Sequence, residues 1–133
     1  MAKVTLGKQL PDFSIASTAG RPWRSGDGAG KKLVIYFYPR DNTSGCTREG
    51  ADFGDLHADF RKAGTVILGV SPDSLESHQK FRAKLTLPFD LLSDPDRKIC
   101  ALFDVIREKN MYGRKFMGVE RSTFLIDAPG VLR

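Results

Sequence analysis

Apolar positions along the chain fall into two kinds of run. The first kind is continuous and strand-length. KLVIYFYP at 32–39 is apolar on both faces, as a central strand covered on each side must be, and TVILGVS at 65–71 repeats the pattern. The second kind recurs at helical spacing. Phe53, Leu56, His57 and Phe60 lie at i, i+3, i+4 and i+7 and predict a helix from about Cys46 to Ala63, with Gly64 as its C-cap. SLESHQKFRAKL at 74–85 predicts a second helix, capped by Asp73 or Ser74. PFDLLSD at 88–94 predicts a short strand or extended segment, and DRKICALF at 96–103 a short helix. VERSTFLID at 119–127 reads as a last strand, which Ala-Pro-Gly turns towards Val-Leu-Arg. Alternating strands and helices predict an α/β fold with a partly parallel sheet.

Composition narrows the picture. With 133 residues, 41% of them apolar, the chain is long enough for one domain over 1–133 with a core of its own. Its longest apolar run, LVIYFY at 33–38, is far short of the ~20 residues that a membrane-spanning helix needs, so no membrane is expected. MAKVTLGKQLPDF carries no apolar signal core, which makes a reducing cytoplasm the expected compartment. The net charge of +5 raises nucleic acid as a partner, but the 21 basic residues are interleaved with 16 acidic ones and never run beyond two. The charge reads as solubility, with no nucleic acid expected. SGDGAGKK at 25–32 invites a phosphate-loop reading and fails it. Ser25 stands where Gly is needed, Lys32 where Ser or Thr is needed, and the segment precedes a strand instead of following one.

Candidate chemistry centres on Cys46. It follows a buried strand through a short polar turn and opens a helix, where unpaired N–H groups and the positive end of the dipole favour thiolate over thiol. Thr43, three residues earlier, can aim its hydroxyl at the same place, and Pro39 ends the strand and constrains the loop. The neighbours Ser44, Gly45, Thr47 and Arg48 are not those of a structural core cysteine. Two Cys and two His, at 46, 57, 78 and 100, show no ligand spacing, so neither a metal nor another cofactor is expected. Neither histidine sits beside a motif.

YPRDNTSGCTREG carries Pro-x-x-x-Thr-x-x-Cys as Pro39, Thr43 and Cys46, and resembles the active-site loop of the peroxiredoxins. Gly-Cys-Thr-x-Glu and the downstream EKNMYGRKFMGVERSTFLID are similar to the bacterioferritin-comigratory, or PrxQ, branch, with the resemblance running from about Pro11 onwards. The resemblance implies a thioredoxin-like three-layer fold, a mixed central sheet flanked by helices, here lacking the usual C-terminal helix. It implies a thiol peroxidase of hydrogen peroxide and organic hydroperoxides, reduced by thioredoxin or another thiol. Cys46 would attack the peroxide, Arg121 and Thr43 would position it, and Pro39 would shield the thiolate. Chemistry is consistent with these roles: cleaving O–O needs a thiolate and donors for the charge on the departing oxygen. Glu49, one turn beyond Cys46, suits a partner that orients an Arg better than a base.

Two features depart from the branch. The position five residues after Cys46, where many members carry a resolving cysteine, is Ala51, and 74–85 has no Cys either. Cys100 is then either a core cysteine or a resolving one that needs local unwinding to reach Cys46; otherwise the cycle is of the one-Cys type. TFLID-APG-VLR reads as an edge hairpin whose second strand has barely begun. That leaves an apolar face to be repacked or covered in a dimer, where a monomer is usual. Two other classes compete. A disulfide oxidoreductase would have Cys at position 43, where Thr stands, and a basic binding module would show no thiol chemistry.

Overall fold

The computed structural model describes residues 4–28, 30–128 and 130–133, with the side chain of Met111 excepted. Its sheet is built on the two apolar runs. Lys32–Phe37 (β3) and Thr65–Ser71 (β4) pair in parallel with Leu33 against Val66 and Phe37 against Val70. Asp90–Ser93 (β5) adds parallel to β4, while Ser14–Ser17 (β1) and Trp23–Arg24 (β2) extend that side antiparallel. Ser122–Ile126 (β8) closes the other side antiparallel to β3, giving the order β2-β1-β5-β4-β3-β8. This is the mixed sheet that the alternation of elements predicts.

Because β3 is buried on both faces, its side chains divide the core in two. Leu33, Ile35 and Phe37 join Leu68, Val70, Leu92 and the short helix Lys98–Leu102 (α3) on one face. Val34, Tyr36 and Tyr38 face Ile67, Leu91 and the helices Ser44–Lys62 (α1) and Leu75–Leu85 (α2) on the other. The layers are therefore helix, sheet, helix. Ser74 caps α2 by accepting from Ser77 N, and Gly64 follows α1 at φ 68°, donating to Arg61 O. Both agree with the sequence pattern.

Two expectations need correction. Leu56 does not belong to the buried stripe of α1; it is 49% exposed. Gly50 and Gly54 approach Leu87 instead, so glycines that carry no hydrophobic signal make part of the inner face. The strand expected over 119–127 begins only at Ser122. Residues 106–119 instead form a separate hairpin, Ile106–Met111 (β6) and Arg114–Val119 (β7), turned by Tyr112 and Gly113 at φ 54° and 78°. At the C-terminal end, Leu132 bridges Ile126 and is buried, and Val131 bridges Gln9, so these residues cover the edge of β8. Leu125, on the opposite face, is 46% exposed. Among the described residues no helix follows β8, and none is long and apolar enough to cross a membrane.

Candidate active site

Three local structures converge on the Cys46 sulfur. The loop after β3 ends at Thr43, which takes extended backbone angles (φ −80°, ψ 152°) and caps α1 with its hydroxyl oxygen, accepting from Cys46 N at 3.4 Å. The same hydroxyl donates to Arg40 O at 3.2 Å. Thr43 thus serves the helix end and the turn at once, and Cys46 is held in the first turn with 1% of its surface exposed. The β3–β8 register, with Phe37 against Ser122, brings Arg121 beside the end of β3. Its Nη2 donates to Cys46 Sγ at 3.2 Å and its Nη1 to Glu49 Oε1 at 2.9 Å. Glu49, one turn along α1 on the face of Cys46, completes the triangle.

Electrostatics match this geometry. Burial raises the Glu49 carboxyl above its ordinary value, and Arg121 offsets part of that rise. Burial works against the Arg121 charge, but the Cys46 sulfur and Glu49 outweigh it and hold its pKa above the usual guanidinium range. A positive charge therefore faces the sulfur, and Glu49 orients it by accepting from Arg121 Nη1. Gly45 is part of the fit, since a Cβ there would lie 3.1 Å from Arg121 Nη2. Pro39, Thr43, Gly45 and Arg121 line a pocket of about 530 Å³ together with Phe116 and Met117 of β7. The five residues that sequence motifs put together, Pro39, Thr43, Cys46, Glu49 and Arg121, thus share one site.

Cys100 does not join them. It lies in α3, 0% exposed, on the opposite face of the sheet. Its backbone N donates to Asp94 Oδ2 at 2.8 Å, and burial, with Asp94 beside it, pushes its thiol well above the ordinary range.

Sequence reasoning passed over Asp41 and His78. His78 does sit beside the motif: its Nδ1 is 2.8 Å from Asp41 Oδ2, within the active-site loop, and its Nε2 is 2.9 Å from Leu92 O. Tyr38 and Ser77 hydroxyls also donate to Asp41, at 2.7 and 2.8 Å, and Asp41 N donates to Asp73 Oδ2. Burial raises the Asp41 carboxyl, but these donors outweigh it and hold its pKa below the ordinary value. Asp41, Asp73 and His78 each offer an atom within 4.8 Å of the others, in the manner of a metal site. The nearest carboxylate oxygens and both ring nitrogens are already committed to hydrogen bonds, so the cluster reads as a clamp from α2 onto the loop.

Residues 6–133 match the profile of the AhpC/TSA family. The chain belongs to that family. Peroxiredoxin Bcp of Bacillus subtilis is 46% identical over 129 residues, covering 97% of this chain and 82% of that protein. Crystallised Xylella fastidiosa PrxQ, a cysteine-to-serine mutant, superposes with a TM-score of 0.91 at 38% identity, over 99% of this chain and 84% of the other. The bacterioferritin comigratory protein of Xanthomonas campestris, studied for alkyl peroxide reduction, gives 0.85 at 49% identity, over 90% and 76%. This peroxiredoxin is of the Bcp/PrxQ branch, with the thioredoxin-like fold of those structures, and its activity is that of a thiol peroxidase.

Proposed function

We propose that the peroxidase cycle runs on Cys46 alone in this chain, with Thr43 and Arg121 positioning the peroxide, Glu49 orienting Arg121, and Pro39 shielding the sulfur. The contact between Arg121 Nη2 and Cys46 Sγ, at 3.2 Å, carries this reading. The thiolate attacks the terminal oxygen of ROOH, forming S–O as O–O breaks. RO⁻ leaves, is stabilised by the guanidinium, and takes a proton to become ROH. Cys46 is left as sulfenic acid.

Resolution then needs an external thiol, thioredoxin or a smaller one, which condenses with the sulfenic acid and releases water. A second thiol cleaves the mixed disulfide and restores Cys46. Two observations favour this route over resolution by Cys100: the sheet lies between the sulfurs, and burial, with Asp94 beside it, pushes the Cys100 thiol well above the ordinary range. A reducing compartment such as the cytoplasm would supply the thiol, and the chain would act as a monomer. The test is a peptide map under non-reducing conditions after one equivalent of hydrogen peroxide. Trapped Cys46 sulfenate with Cys100 free is expected, whereas a Cys46–Cys100 disulfide would overturn the one-cysteine cycle.

A further inference from the structure

The loop between β3 and α1 is tied to α2 by a histidine that takes no part in the peroxide chemistry. His78 is fully buried, and both of its ring nitrogens face oxygen. Nε2 lies 2.9 Å from Leu92 O, and a carbonyl can only accept, so Nε2 carries a proton. Nδ1 lies 2.8 Å from Asp41 Oδ2. Burial works against the Asp41 charge, but His78, Tyr38 and Ser77 hold that carboxyl ionised, which puts the proton of the contact on Nδ1. A neutral ring has one N–H and can serve only one of the two oxygens; the other nitrogen would turn a lone pair towards an acceptor. The ring is therefore an imidazolium. Among the described residues, the titratable groups facing it besides Asp41 are Tyr38, with its hydroxyl 3.5 Å from Nδ1, and Asp73, with a carboxylate oxygen within 4.8 Å. What this charge holds is the turn that carries Thr43. Asp41 stands between Arg40, whose carbonyl accepts from the Thr43 hydroxyl, and Asn42, which sits at φ 64°. A residue other than glycine stays in that left-handed region where its surroundings hold it there. Thr43 in turn accepts from Cys46 N.

We propose, on the footing of the peroxidase reading above, that His78 is a positioning residue of the site: as an imidazolium donating to Asp41 and to Leu92 O, it fixes the turn over residues 40–43 and with it the Thr43 hydroxyl beside Cys46. The charge is read directly by ring-nitrogen NMR of the folded protein near neutral pH, with the signals of the other histidine assigned by His57→Gln. Protons on both His78 nitrogens are expected. In Asp41→Asn the side-chain amide can donate to Nδ1, so that nitrogen is expected to lose its proton while Nε2 keeps one. A single ring proton in the parent overturns the proposal, whatever the variants do. The positioning is read by stopped-flow oxidation of Cys46 with hydrogen peroxide. His78→Gln is expected to slow it by about tenfold, as a displacement of part of an ångström at the site would. Thr43→Val is expected to slow it further, and the double variant to be about as slow as Thr43→Val alone, because both losses pass through one hydroxyl. Losses that multiply would put His78 outside the path to Thr43 and overturn the proposal, as would a His78→Gln protein that keeps the parent rate. Where His78→Gln does not fold, Asp41→Asn takes its place in the same cycle, with a several-fold loss expected and the same two outcomes against the proposal. A parent that does not react with peroxide at all would instead strike the peroxidase reading.

Discussion

Cys46 and Cys100 are equally buried, at 1% and 0% exposed, on opposite faces of one sheet. Burial alone would make both inert, because it disfavours the charged thiolate. They differ in the charge set against the sulfur. Cys46 has a guanidinium at 3.2 Å and opens a 19-residue helix. Cys100 has the Asp94 carboxylate beside it and is driven further towards S–H. The sign of the neighbouring charge distinguishes the two sulfurs, and for Cys46 the fold supplies it from distant sequence: Arg121 is 75 residues away.

The largest effects are expected from removing each sulfur in turn. Cys46→Ser is expected to abolish peroxide turnover while the fold persists, since a serine hydroxyl stays protonated and attacks O–O poorly. Cys100→Ala is expected to retain turnover with an external thiol and to lose about 1 kcal/mol of stability, the ordinary cost of a core truncation. Steady-state peroxide consumption and thermal unfolding of both variants check this. Turnover lost with Cys100 would make the two cysteines partners.

Removing the charge is the next largest change. Arg121→Ala is expected to slow Cys46 oxidation by about 10²–10³, the loss typical of one removed oxyanion donor. Arg121→Lys should recover part of the charge effect but little of the rate, because an ammonium cannot bond the sulfur and Glu49 in one plane as the guanidinium does. Stopped-flow oxidation of the three proteins gives the order directly.

How far this contrast was legible in the sequence follows from distance along the chain. β3, β4, α2 and the position of Cys46 at a helix start are written in local patterns, and they stand where those patterns put them. The Arg121 contact was legible only through the family resemblance. The clamp of His78 on Asp41 was not legible, because the two are 37 residues apart and neither carries a local signature. The β6–β7 hairpin was missed because its turn places Tyr112, not Asn or Asp, at positive φ, and because Phe116 and Met117 point to the pocket instead of a core.

The clamp anchors the loop that leads to Cys46. Asp41→Asn keeps the shape of the loop anchor and removes its charge. The depressed Asp41 pKa means that its stabilisation is fully present above the ordinary carboxylate pKa and is lost as pH falls through the folded-state value. The substitution is therefore expected to cost about 2–3 kcal/mol at neutral pH, the scale of hydrogen bonds to a charged acceptor. The gap to the parent should narrow below about pH 4, where the Asp41 carboxyl of the unfolded parent begins to take up a proton ahead of the folded one. Denaturant unfolding at several pH values measures the gap. A gap that stays constant into acid would mean that the charge of Asp41 does not hold the loop.

The smallest expected effect separates site from fold most cleanly. Gly45 lies in the first turn of α1, and an added Cβ would stand 3.1 Å from Arg121 Nη2 and 3.7 Å from its Cζ. Such a contact is met by a shift of a few tenths of an ångström in the guanidinium, away from the Cys46 sulfur. Reaction rates are sensitive to displacements of that order, with a misplacement of about 1 Å costing about 10²-fold. Gly45→Ala is therefore expected to slow Cys46 oxidation several-fold. Helix propensity runs the other way, since Ala in place of a helical Gly stabilises by up to about 1 kcal/mol. A variant with an unfolding temperature at or above the parent's and a slower reaction with peroxide would tie the loss to the position of Arg121. An unchanged rate would mean that the guanidinium has room to reach Cys46 from more than one place.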